Sequence, residues 1–164
     1  MLPRSKGYTL LELLIVAAVL AVLLTIGFST YRKARLQAEV RDNRATIASA
    51  LRDARSNAQR YNVNARVRFL TDLKFALEVK DRLGNTYQKY TRELSKNLDF
   101  HYSKDGSHWK RVTTLKEITY TAPFGETDAS PTLLRVRHHK YPEIAACLRI
   151  VGVTGKVVVA HACP

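Results

Sequence analysis

The sequence predicts an α+β chain in which one long N-terminal helix, transmembrane in its first half, packs on an antiparallel β-sheet head. Three observations predict it. Residues 8–28 hold a single charged residue, Glu12. Helical periodicity continues past that run to about residue 59, and no Gly or Pro follows Gly27 before residue 61. From Val63 onward the pattern changes to short alternating runs separated by turn residues.

The apolar segment comes first. Its 21 positions make a helix of roughly 30 Å, the thickness of a bilayer core. No later apolar run approaches that length, so the chain has at most one span and is not a polytopic transporter. A secretory signal peptide has a shorter apolar core followed by small residues at a cleavage site. Here Ser29-Thr30-Tyr31-Arg32 follows instead. A plain signal anchor with an unrelated head fits, with Glu12 at the headgroup level. So does a span in which Glu12 has a partner or a task, because a carboxylate inside a membrane-length helix costs a few kcal/mol. Basic residues flank both sides, Arg4 and Lys6 before the run and Arg32, Lys33 and Arg35 after it, so charge asymmetry alone does not orient it.

Beyond the span the helix becomes amphipathic. At 100° per residue, Leu36, Val40, Ile47, Leu51, Ala54 and Ala58 fall within about 60° of arc. Arg41, Arg44, Arg52 and Arg55 cluster within about 80° beside them. That arginine stripe reads as solvated charge or ion pairs to neighbouring subunits, or as a contact for a polyanion. The 164 residues carry a net charge of +13, and residues 31–68 hold ten basic against three acidic side chains. A chain this basic meets nucleic acid, anionic lipid or an acidic partner, or keeps its charge for solubility. Hydrophobic residues at 46% and charged residues at 25% exclude a disordered chain.

In the head, strands are expected over 65–70, 74–79, 98–103, 108–112, 133–137, 144–153 and 156–161. Leu83-Gly84-Asn85 marks a turn, Asp105-Gly106 a hairpin and Thr154-Gly155 the last hairpin. With a three-residue loop centred on Gly155, Cys147 and Cys163 fall opposite one another. In an oxidising compartment that favours a disulfide contributing roughly 3 kcal/mol; two buried thiols are the alternative.

The N-terminal residues carry a resemblance. Lys6-Gly7-Tyr8-Thr9-Leu10-Leu11-Glu12-Leu13-Leu14-Ile15-Val16 resembles the processing and assembly motif of type IV pilins and type II secretion pseudopilins. The resemblance implies the pilin fold, cleavage between Gly7 and Tyr8 by a prepilin peptidase, and N-methylation of the new terminus at Tyr8, where the family usually has Phe. It implies residues 1–7 as a leader peptide, 8–30 as the transmembrane half of the helix, 31–61 as its amphipathic half and 62–164 as a β-rich globular head. It places the span in the inner (cytoplasmic) membrane with the head in the periplasm or outside. The partners implied are the peptidase, other pilins and the assembly platform. Glu12 would meet the α-ammonium of a neighbouring subunit, and because an unpaired buried charge is heavily penalised, the pair selects the stagger of the filament.

Two further stretches narrow the likeness. Ala48-Ser49-Ala50-Leu51-Arg52-Asp53-Ala54-Arg55-Ser56-Asn57-Ala58 and Val153-Thr154-Gly155-Lys156-Val157-Val158-Val159 resemble GspH/FimT-type minor pseudopilins. The implied function is a minor subunit that primes or caps a type IV pilus or a type II secretion pseudopilus. The alternative is a pilin-like receptor that binds double-stranded DNA for uptake in natural transformation. Some members of that group do so through Gly-Arg-x-Arg in the last hairpin, where this chain reads Gly155-Lys156-Val157-Val158. Arg135, Arg137, His139, Lys140, Arg149 and Lys156 form a substitute surface for a phosphate backbone. The bland reading of those residues is a strand edge kept basic against aggregation. No phosphate loop, nucleophile elbow or ligand-spaced His/Cys cluster occurs, so neither an enzyme, a cofactor nor a metal is expected.

Overall fold

A computed structural model describes residues 9–81, 83–128, 132–160 and 163. The chain divides into two compact units, Met1–Leu36 and Gln37–Pro164. Helix α1 runs from Leu10 to Tyr61.

In the first unit α1 opens on a cap. The backbone N–H of Glu12 donates to Thr9 Oγ1 at 3.2 Å, so Thr9 is the N-cap of the helix and Glu12 its third residue. Leu10, Leu14, Val16, Leu20, Leu24 and Phe28 are all at least half exposed. This surface is apolar all the way round and has nothing of its own unit against it. Such a surface needs a partner outside its own unit.

In the second unit the amphipathic reading of α1 holds. Val40, Ile47, Leu51, Ala54 and Ala58 are buried, with Ala48 and Ala50 beside them, while Leu36, expected in the same stripe, belongs to the first unit. Each large side chain removed from water contributes about 1.5–3 kcal/mol. Two antiparallel sheets complete the unit. The first has the order β3-β2-β1-β6, from Ala65–Thr71 (β1), Lys74–Lys80 (β2), Thr86–Glu93 (β3) and Glu117–Tyr120 (β6). The second has the order β5-β4-β7-β8-β9, from Leu98–Ser103 (β4), Lys110–Arg111 (β5), Thr132–His138 (β7), Ala145–Val151 (β8) and Lys156–Ala160 (β9).

Polar contacts fix the helix to the first sheet. Tyr90 donates its hydroxyl to Asp53 at 3.0 Å, and Lys89 Nζ donates to Asn57 Oδ1 at 3.2 Å. The Ser95 backbone N–H reaches Asn43 Oδ1 at 3.1 Å, and the Ser95 hydroxyl donates to the Glu39 carboxylate. The two sheets meet through Phe69 and Phe100, edge to face with centroids 5.6 Å apart. A second junction lies at the tip of the last hairpin. There the Thr127 N–H donates to Val153 O at 2.9 Å and the Tyr120 hydroxyl to Gly155 O at 3.3 Å. Gly155 has φ +63°, and a Cβ on it would lie 2.5 Å from Tyr120 Cε1 and 2.6 Å from Thr127 Cγ2. Only glycine fits.

Several expected elements differ. The strand expected over 108–112 shrinks to Lys110–Arg111. Asp105 Oδ1 accepts the backbone N–H groups of Ser107 and His108 and holds that stretch as a turn. Val112–Thr114 then closes into a 3-10 turn. Strands β3 and β6 were not expected: β3 is exposed along most of its length, and β6 has four residues. The last loop is longer than expected. Val151 pairs with Lys156, leaving Gly152–Gly155 as the turn, and Cys147 faces Ala160 rather than Cys163. The disulfide nonetheless forms, Cys147 to Cys163 with Cα atoms 5.4 Å apart, from three residues beyond the end of β9.

Candidate functional site

Two surfaces carry the candidate residues. The first is the start of α1. Glu12 is exposed in the first helical turn, among Leu10, Leu11, Leu13 and Leu14. A carboxylate there faces the positive end of the helix dipole. Gly7 and Tyr8, the expected cleavage and methylation positions, lie outside the described residues.

The arginine stripe in the second half of α1 is not uniformly solvated. Arg41 and Arg52 are exposed, whereas Arg44 and Arg55 are half-buried. The Nε atoms of Arg44 and Arg55 are buried without a hydrogen-bond partner. Arg55 lies against Gly125, where a Cβ would come within 2.9 Å of its Cγ. Part of the stripe therefore serves packing inside the head.

The second surface is the outward face of sheet β5-β4-β7-β8-β9. Strand β7 alternates strictly, with Thr132, Leu134, Val136 and His138 buried and Leu133, Arg135 and Arg137 half-buried. Register sets Arg135 against Cys147, Leu133 against Arg149, Arg149 against Val158 and Val151 against Lys156. Arg137, Arg135, Arg149 and Lys156 thus share one face and step diagonally across three strands. Strand rise and spacing put successive Cα atoms about 7–8 Å apart. Lys140 and His139 lie beyond the end of β7, off that line.

These cations differ in their freedom. The Arg135 guanidinium stacks on Trp109, 3.9 Å from the ring centroid. Burial, and then the neighbouring Arg137 charge, lower the Arg135 pKa from its ordinary value. Arg137 Nε reaches Asp99 at 3.3 Å, and His139 Nδ1 lies 3.3 Å from the other oxygen of that carboxylate. Arg149 and Lys156 are exposed, and among the described residues neither has a carboxylate within ion-pair distance. His101 stands beside Arg135 on β4, and its pKa is lowered by burial and then by Arg137. Among the described residues no three His, Cys, Asp or Glu side chains gather as a metal site.

Sequence reasoning missed Asp99, His101 and Trp109 as members of this surface. Alternation along β4 places Asp99 and His101 on the same side, but nothing local shows that β4 pairs with β7, 34 residues away at the His101–Arg135 rung. Trp109 carries no local signal at all.

Comparison with known proteins agrees with both ends of the chain. The prokaryotic N-terminal methylation motif family matches residues 2–28. No curated protein sequence matches the chain. Among solved structures, the minor pseudopilin EpsH from the type II secretion system of Vibrio cholerae superposes with a TM-score of 0.60 at 11% identity, covering 76% of this chain and 97% of that one. The type IV minor pilin FimU of Pseudomonas aeruginosa superposes with a TM-score of 0.56 at 12% identity, covering 81% of this chain and 98% of that one. The chain therefore joins a prokaryotic N-terminal methylation motif to the fold of minor pilins and pseudopilins.

Proposed function

We propose that the chain is a minor subunit of a type IV pilus or a type II secretion pseudopilus that helps to prime or cap the filament. In this reading a prepilin peptidase cuts after Gly7, and Tyr8 becomes the methylated N-terminus. Residues 10–28 anchor the subunit in the inner membrane, with the head outside the cytoplasm, until the assembly platform passes it to other pilins. One observation carries the reading: the lone acid Glu12 stands in the first turn of a helix whose apolar side chains are exposed on every side. In an apolar bundle that carboxylate requires a cation, and the α-ammonium created four residues earlier on a neighbouring chain supplies one.

The test is Glu12→Ala in cells. The variant should still be processed and remain in the membrane fraction, yet be lost from filaments recovered with their other subunits. Co-assembly at the parent level overturns the role given to Glu12, and a chain still uncut beside an active peptidase overturns the processing.

The diagonal of Arg137, Arg135, Arg149 and Lys156 favours a second use of the same scaffold, contact with the backbone of double-stranded DNA. The spacing of about 7–8 Å resembles the distance between successive phosphates. Binding would be largely blind to sequence and steeply salt-dependent. With the full chain in detergent, Arg149→Ala/Lys156→Ala should lower the slope of log affinity against log salt by about two. An unchanged slope removes this surface from any DNA contact.

A further inference from the structure

We propose that Arg32, Lys33 and Arg35 form a collar that binds the anionic phospholipid headgroups of the leaflet through which the helix leaves the membrane. The proposal rests on the membrane span argued above and adds a lipid class to it. Arg32, Lys33 and Arg35 are exposed, and Tyr31 beside them is 65% exposed. They begin one turn after Phe28, the last large apolar residue of the run. At 1.5 Å per residue they sit about 6–10 Å beyond it along the axis. That distance matches the headgroup layer on one side of a bilayer, roughly 5–8 Å thick.

The angular arrangement selects a lipid surface over a protein partner. Taking Arg32 as the origin, Lys33 lies near 100°, Tyr31 near 260° and Arg35 near 300°, at about 100° per residue. The three cations spread over about 160° of arc, twice that of the stripe farther along the helix, and with Tyr31 the widest gap is about 160°. A partner docked on one side would be met by a stripe, as with Arg41, Arg44, Arg52 and Arg55, which fall within about 80°. A headgroup layer touches every side at once. Side chains of an α-helix also lean toward its N-terminus, here toward the membrane, so the long Arg and Lys stems reach back to the phosphates. Tyr31 supplies the amphipathic ring favoured at that depth. No Asp or Glu occurs between Glu12 and Glu39, so the stretch that carries the collar is positive in sequence.

The experiment uses the full chain in phosphatidylcholine vesicles carrying a trace of spin-labelled phosphatidylglycerol or spin-labelled phosphatidylcholine. The immobilised fraction of each label reports its association with the helix boundary. The parent should prefer phosphatidylglycerol by roughly fivefold or more at low salt, with the preference shrinking as salt rises. Arg32→Gln/Lys33→Gln/Arg35→Gln should lose most of it, Arg32→Lys/Arg35→Lys should keep it, and Arg41→Gln/Arg52→Gln should not change it. A triple variant that keeps the full preference, or a parent without one, overturns the collar. A chain stripped from the vesicles by alkaline carbonate overturns the span and the collar together. A chain that resists carbonate but ignores headgroup charge overturns the collar alone.

Discussion

The two halves of α1 share one backbone and opposite surroundings. Over residues 10–28 the apolar residues point in every direction, and Leu20 remains 52% exposed. From residue 37 to 61 the larger aliphatic residues, Val40, Ile47 and Leu51, gather in one buried stripe, and Leu51 is fully buried. Both halves are good helix formers, so propensity does not separate them. What separates them is where the apolar surface finds its complement. The second half finds it in the two sheets of its own unit. The first half has no such complement within its own unit, and its one acid, Glu12, is exposed among leucines.

The sharpest way to break this contrast is a matched pair of truncations. Leu51→Ala should destabilise the head by about 2–5 kcal/mol, while Leu20→Ala should move its unfolding midpoint by less than about 0.5 kcal/mol. Equal effects in thermal unfolding followed by circular dichroism would show that the halves are not energetically distinct. Next in size is the disulfide, which closes a loop of sequence separation 16. Reduction, or Cys147→Ser/Cys163→Ser, should cost about 3 kcal/mol in the same measurement and leave carbonate resistance of the membrane half untouched.

Smaller effects refine the second half and the sheets beside it. Tyr90→Phe removes the hydroxyl donated to Asp53 and should cost about 0.5–1.5 kcal/mol. Burial first, and then that bond, push the Tyr90 pKa up to about 12, so no spectral sign of tyrosinate at position 90 should appear near pH 10. Acid provides the mildest probe. His101 has a lowered pKa in the folded state, owing first to burial. As pH falls through its ordinary value near 6.5, the unfolded chain takes up the proton first. Stability present above that pH is therefore lost progressively toward the folded value. His101→Gln should flatten this part of the pH profile, measured as midpoint against pH. An unaltered slope in the variant would discharge His101 from it.

The helix, its buried stripe and the hairpin containing Gly155 were legible because each rests on local information: a period, a run, a turn residue. Strand β3 was not, since Thr86-Tyr87-Gln88-Lys89-Tyr90-Thr91-Arg92-Glu93 is an edge strand whose residues are mostly exposed, and it shows no apolar alternation. The stretch after Asp105-Gly106 was over-read as a strand because the capping done by the Asp105 side chain competes with pairing. On the outward face of the second sheet, the alternation of Arg135 and Arg137 could be read from the sequence. The pairing of Arg137 with Asp99 and the stacking of Arg135 on Trp109 could not, because both depend on which strands lie side by side. The last turn was placed too late as well as one residue too short: with Gly152 and Gly155 both at positive φ it spans 152–155, and the hairpin register shifts by three residues.

Gly155 has a consequence for variation at the tip of that hairpin. It is wedged against Tyr120 and Thr127 while Gly152, Val153, Thr154 and Lys156 around it face solvent. One residue fixes where the tip sits, and its neighbours are left to carry whatever chemistry the tip displays. Heads built this way have a peg and a palette: the peg holds the shape constant while exposed positions beside it change character from acidic to basic or from polar to apolar. The surface chemistry of the hairpin can therefore vary without renegotiating the fold that presents it.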